Sequence, residues 1–158
     1  MGPDNYVNFP LLGKTLSYTI DLSAVGCSCN AALYWVSMPG YSQDGSLSPS
    51  DKGNYYCDAN KVWGTWCWEM DSIEANMHTM QVTPHKCSSA AGAYIESCDR
   101  SGAGVNSFFH DPRGLCPSDD CKINTTKPFT HIQTFVSDPT GEKLVGIANK
   151  LEQNGSVF

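Results

Sequence analysis

The sequence predicts a domain built almost wholly of β-strands, and three observations carry that prediction. Leu16, Tyr18, Ile20 and Leu22 alternate with Ser17, Thr19, Asp21 and Ser23, the period of two expected of a strand with one buried face. A second strand pattern at Pro128–Val136 runs into Asp138-Pro139-Thr140-Gly141, which supplies turn chemistry for a hairpin into Lys143–Ala148. Between these ends, Ser88–Asp120 holds Gly, Ser, Cys and Asp with little periodicity, as expected of a long irregular excursion pinned by disulfides.

The remaining elements follow in order. Ala31–Met38 reads as a buried strand ended by Pro39-Gly40, and Tyr41–Asn54 as a loop rich in Ser, Gly, Asp and Pro. The segment Trp63–Val82 has two readings. Trp66, Met70, Ile73, Met77 and Met80 fall at alternating spacings of four and three, which by period alone is an amphipathic helix. The competing strand places Trp66, Trp68 and Met70 on one face and Cys67, Glu69 and Asp71 on the other. Periodicity favours the helix.

Composition narrows the class. The 158 residues suffice for one domain, 1–158, with a core of its own. Only 16% are charged, against about 25% in ordinary domains. The net charge of -6 comes with no basic stretch to neutralise phosphates, so nucleic acid is not an expected partner. The longest apolar run, Ala31–Val36, is far shorter than the roughly 20 residues of a membrane span.

Eight cysteines point to an oxidising compartment. Cys27 and Cys29, one residue apart, and Cys116 and Cys121, four apart, lack zinc-ligand spacing, so no metal is expected. The sequons Asn124-Thr125-Thr126 and Asn154-Gly155-Ser156 agree with export. The opening Met1-Gly2-Pro3-Asp4-Asn5 shows neither a basic nor an apolar leader region, which is expected if a leader has been removed or the chain is a segment of something longer.

The chemistry is expected in Glu69-Met70-Asp71-Ser72-Ile73-Glu74, three carboxylates within six residues of a charge-poor chain. On a helix they form a solvated acidic edge. On a strand Glu69 and Asp71 share a face, and a bulge after Asp71 brings Glu74 to it as well. Paired carboxylates suit retaining hydrolysis of a glycosidic bond, one attacking the anomeric carbon and the other protonating the leaving oxygen. Tyr34, Tyr55, Tyr56, Trp63, Trp66 and Trp68 offer flat faces to sugar rings or serve as core. His78 and His131 read as strand-surface residues or makers of one structural hydrogen bond, and Met70, Met77 and Met80 as packing residues.

The string Glu69–Asn76 followed by Thr83-Pro84-His85-Lys86-Cys87 closely resembles the active-site strand and following loop of glycoside hydrolase family 7, the cellulases. Further similarity lies in Asp21–Cys27, Asn30–Met38, Tyr56-Cys57-Asp58 and Ile123–Phe129, in the family's order. The resemblance implies a concanavalin-like β-jelly-roll sandwich of antiparallel strands with disulfide-pinned loops. It implies a concave sheet that binds a β-1,4-glucan or cello-oligosaccharide without a cofactor. By motif position Glu69 is the nucleophile, Asp71 its hydrogen-bonding partner and Glu74 the acid/base, with His85 beside the acid/base. Asn30, Tyr34 and Asp58 match positions that face the substrate. The family also implies a Cys57 to Cys67 bond, and Cys87, Cys98, Cys116 and Cys121 are the other disulfide candidates. Cys27 has its family partner in a region this chain lacks, and Cys29 stays unassigned.

The resemblance reaches only the central portion of the family's catalytic domain, so the expected sandwich is truncated. Nine residues separate Cys57 from Cys67, too few for the loop that roofs a tunnel, which implies an open, endo-acting cleft. The expected function is retaining β-1,4-glucan hydrolysis by a secreted protein. The alternative is a catalytically degenerate glycan-binding or structural module, with a protein partner covering the truncated sheet.

Overall fold

A computed structural model describes residues 5–158; the opening Met1–Asp4, where the expectation about a leader falls, lies outside the described residues. Among the described residues, the regular structure includes ten strands, a short 3-10 turn at Val62–Gly64 and one four-residue helix, α1 (Ser107–His110). The strands are β1 (Thr15–Ile20), β2 (Ala31–Val36), β3 (Glu69–Asn76), β4 (Thr79–His85), β5 (Val105–Asn106), β6 (Leu115–Cys116), β7 (Ile123–Asn124), β8 (Phe129–Ser137), β9 (Leu144–Gln153) and β10 (Ser156–Val157). They form sheets in the orders β1-β8-β9-β10, β2-β3-β4-β5 and β6-β7. The all-β class is therefore the one the alternation predicts.

The segment 63–82 is not a helix. It holds β3, a two-residue turn at Met77-His78 and the start of β4. Asp71, Ser72 and Ile73 are all buried, so β3 is covered on both faces and carries no period of two. That leaves the spacing of four and three as a coincidence of apolar residues spread over the segment before β3, the two strands and the turn between them. The hairpin turn is set by Asn76, whose Oδ1 accepts from His78 N at 2.9 Å. Ala31–Met38 also departs from expectation: β2 alternates between half-buried and exposed positions instead of lying fully buried, and Tyr34 is 43% exposed.

The described chain divides into two compact units. One holds, of the described residues, 5–7, Leu33–Ile73 and Val82–Val105. Its buried residues include Cys57, Ala59, Cys67, Ile73, Val82, Cys87 and Ile95. Two disulfides, Cys57–Cys67 and Cys87–Cys98, tie segments that carry little regular structure of their own. Asp58 organises the loop after it, accepting at Oδ1 from Asn60 N at 2.9 Å and Val62 N at 3.0 Å. Gly40 permits close packing here, since a Cβ on it would lie 2.6 Å from Thr65 Cγ2.

The other unit holds Asn8–Ala32, Glu74–Gln81 and Asn106–Phe158. Its centre is the sheet of β1, β8, β9 and β10. The antiparallel register sets Tyr18 opposite His131, and Gln133 opposite Asn149. The buried face of β8 is Phe129, His131, Gln133 and Phe135, with Ile132 half-buried on the opposite face. His131 was expected at the surface or with one bond; it is fully buried with two side-chain partners, Tyr18 at 2.8 Å and Asn149 at 3.1 Å. The β8–β9 turn is built on Asp138, whose Oδ1 accepts from Glu142 N and Lys143 N at 2.9 and 3.1 Å. The third disulfide, Cys116–Cys121, closes the connection between β6 and β7. Cys27 and Cys29 are free and exposed.

Candidate active site

Glu69 opens β3 and Asp71 follows on the same face of the strand. Asp71 is 6% exposed, and its Oδ2 lies 2.9 Å from Nε2 of His85, the last residue of β4. The other ring nitrogen, Nδ1, lies 2.7 Å from the carbonyl oxygen of Asp99. A carbonyl only accepts, so Nδ1 carries a proton. The Asp71 contact then requires one further proton, shared between carboxylate and Nε2. Burial alone lowers the His85 pKa, but the Asp99 carbonyl and the Asp71 carboxylate outweigh it and raise the pKa above the ordinary 6.5. The raised pKa favours the protonated ring beside the Asp71 carboxylate.

Gly102 keeps this arrangement compact. Its φ is +63°, and a Cβ there would stand 2.3 Å from Thr83 Cγ2, 2.9 Å from the Pro84 carbonyl and 3.0 Å from His85 Cε1. Any side chain at 102 would push against the strand that carries the imidazole.

Glu69 is half-buried, and its Oε2 accepts from Ala59 N at 2.9 Å. Burial raises its pKa above the ordinary 4.5. The Ala59 N–H opposes that rise, the negative charges of Asp71 and Asp58 add to it, and His85 opposes it. Glu69, Asp71, Asp58 and His85 therefore form one electrostatic cluster within their unit. Tyr56 extends it, because Tyr34 and Asp58 both act on its hydroxyl. Burial first, then those two neighbours, holds the Tyr56 hydroxyl protonated well beyond the ordinary tyrosine range. Its ring packs edge-on against Trp63, with centroids 5.1 Å apart. Trp66 has Lys61 and Arg100 over its ring, at 5.7 and 5.0 Å.

In the other unit Glu74 is half-buried, and its Oε1 accepts from Asn30 Nδ2 at 3.0 Å. The motif residues thus fall into two groups: Glu69, Asp71, His85, Asp58 and Tyr34 in one unit, Glu74 with Asn30 in the other. Sequence reasoning placed Tyr56 only among the aromatics and did not find the Asp99 carbonyl or Gly102. The Tyr56-Cys57-Asp58 block was the available signal for Tyr56. A backbone acceptor and a close backbone approach leave no mark in residue chemistry. No group of His, Cys, Asp and Glu among the described residues has the arrangement of a metal site.

The glycosyl hydrolase family 7 model matches residues 1–63 and 60–158. The chain is 35% identical to endoglucanase EG-1 of Trichoderma longibrachiatum over 98% of its own length and 36% of that protein's. It is 32% identical to a probable endo-beta-1,4-glucanase, celB, of Aspergillus terreus, covering 98% of this chain and 43% of the relative. The native structure of Humicola insolens endocellulase EGI superposes with a TM-score of 0.74 at 28% identity, over 93% of this chain and 43% of that one. The chain therefore spans well under half the length of the relatives it matches. The shared fold is the antiparallel β-jelly-roll class. Among the described residues no helix is long and apolar enough to cross a membrane, and three disulfides accord with an oxidising compartment.

Proposed function

This chain belongs to glycosyl hydrolase family 7, and on that premise we propose that it is a retaining, endo-acting β-1,4-glucan hydrolase, or the catalytic middle of one. The observation that carries the reading is the cluster on β3 and β4: a half-buried Glu69 beside a buried Asp71 clamped by His85. In this reading Glu69 attacks the anomeric carbon and forms a glycosyl-enzyme, while Glu74 protonates the leaving oxygen and then draws the proton from the water that releases the sugar. Asp71 keeps negative charge beside Glu69, and His85 fixes the orientation of Asp71. Retaining chemistry requires the two reacting carboxyls to approach to about 5 to 5.5 Å. Asn30, through its bond to Glu74, orients the acid/base; Tyr34 and Asp58, both acting on the Tyr56 hydroxyl, line the sugar path.

The ten-residue separation of Cys57 and Cys67 leaves little chain to roof a cleft, which supports internal attack on a glucan over processing from an end. Residues 1–158 act as one partial domain, and the protein is secreted, as the disulfides support.

The test is hydrolysis of soluble cello-oligosaccharides by the purified chain, with the anomeric form of the first product followed by NMR. Turnover giving β-product at first, reduced at least about 10⁴-fold in Glu69→Gln, is the expected outcome. A folded chain that binds the oligosaccharide and never cleaves it would instead mark a glycan-binding module.

A further inference from the structure

The two sequons sit in opposite environments. Asn124 lies in β7, is 6% exposed, and has both ends of its amide engaged. Its Nδ2 donates to Asp119 Oδ1 at 2.6 Å, and its Oδ1 accepts from Thr126 N and Thr126 Oγ1 at 2.9 and 2.7 Å. The sequon's own hydroxyl is therefore committed to holding the asparagine in place. Thr125 between them is fully buried, with its hydroxyl donating to the Met77 carbonyl at 2.6 Å.

Asn154, by contrast, is the first residue of the two-residue turn joining β9 to β10, where Gln153 pairs with Ser156. Its φ of 49° and the φ of 85° at Gly155 are those of a type I′ hairpin turn, which Asn-Gly favours. Asn154, Gly155 and Ser156 are all exposed. The turn borders an open pocket of about 370 Å³ that Thr130, Glu152 and Val157 help to line, so a group leaving the Asn154 amide meets solvent and not packed atoms.

We propose that Asn154 is an N-glycosylation site of this protein and that Asn124, despite its sequon, is not. The donor is a lipid-pyrophosphate-linked oligosaccharide. Asn154 Nδ2 forms a bond to the sugar C1 as the C1–O bond to pyrophosphate breaks; the pyrophosphate leaves with the electron pair, and the displaced amide proton passes to solvent. A glycan on Asn124 Nδ2 would have to displace Asp119 and leave a buried strand position, so the folded state accepts a sugar at one sequon alone. The glycan at the turn also flanks β10, the short edge strand on which Val157 is 53% exposed, and so shields that edge from pairing with other chains.

The experiment directs the full chain through the secretory pathway of a yeast with a cleavable leader and maps glycopeptides of the folded, secreted product. Sugar at Asn154 with unmodified Asn124 is expected. Ser156→Ala removes the sugar, and Ser156→Thr retains it, while the turn residues Asn154-Gly155 stay intact in both. A secreted chain bare at Asn154, or a folded chain carrying sugar at Asn124, overturns the proposal.

Discussion

His85 and His131 are both buried to within a few per cent, yet their surroundings shift their pKa values in opposite directions. His85 has an acceptor at each nitrogen, the Asp99 carbonyl and the Asp71 carboxylate, and its pKa is raised. His131 receives the Tyr18 hydroxyl at Nδ1 and donates from Nε2 to Asn149 Oδ1, which also accepts from Gln133 Nε2 at 2.9 Å. Burial lowers its pKa, and the Asn149 bond offsets only part of that. Burial also keeps the Tyr18 hydroxyl protonated, so it remains a donor. Desolvation is common to both imidazoles; acceptors at both nitrogens, the Asp99 carbonyl and then the Asp71 carboxylate, outweigh it at His85, whereas the single Asn149 acceptor does not at His131. One network fastens a sheet, whereas the Asp71–His85 pair lies beside Glu69, the nucleophile of the proposed reaction.

The contrast is broken most severely by Asp71→Asn. Without the carboxylate, the His85 pKa falls from its raised value, seen by NMR titration of the ring, while His131 keeps its shift. Turnover on cello-oligosaccharides is expected to fall roughly 10³-fold. Unchanged turnover with a neutralised His85 would remove the pair from the mechanism.

His131→Ala strikes the other half. It leaves the Tyr18 and Asn149 groups buried without their imidazole and opens a cavity, and urea unfolding is expected to register a loss of about 3 kcal/mol. Activity per folded molecule should not change.

Acid sharpens the distinction without mutation. Because the folded pKa of His131 lies below 6.5, the unfolded chain takes up a proton first as pH falls through 6.5, so this residue's contribution is present above 6.5 and lost toward its folded value. His85 has the reverse sign: its contribution is complete below 6.5 and fades as pH rises through its raised folded value. Stability measured against pH in His131→Gln should therefore lose part of the acid-side decline below 6.5. A variant curve parallel to the parent's would show that another group governs that decline. The smallest effect is expected at an exposed ion pair on β9, Lys150 with Glu152 at 2.7 Å, flanking the strand that supplies Asn149. Lys150→Met should change stability by no more than about 0.5 kcal/mol in the same unfolding assay.

The sequence by itself determined the strands whose two faces differ. Residues 16–22 alternate because one face of β1 is covered and the other wet, and Asp138 to Gly141 forms its turn from local hydrogen bonds alone. The carboxylate motif was legible as well, because Glu69, Asp71 and Glu74 are concentrated in a chain poor in charge. Tertiary structure decided the rest. Segment 63–82 reads as a helix by period, but a strand covered on both faces has no alternation to show, and its hairpin partner supplies the hydrogen bonds a helix would have made internally. His131 reads as a surface residue until the register of β8 with β1 and β9 sets Tyr18 and Asn149 around it. The pKa of His85 is raised by a backbone carbonyl at Asp99 and by Asp71, each 14 residues away, and the fate of each sequon depends on whether its asparagine lies in a buried strand or at a hairpin tip. Chain-local rules see turns and one-sided strands; pKa, burial of polar groups and access to modification are set by partners distant in sequence, and only the folded chain brings those together.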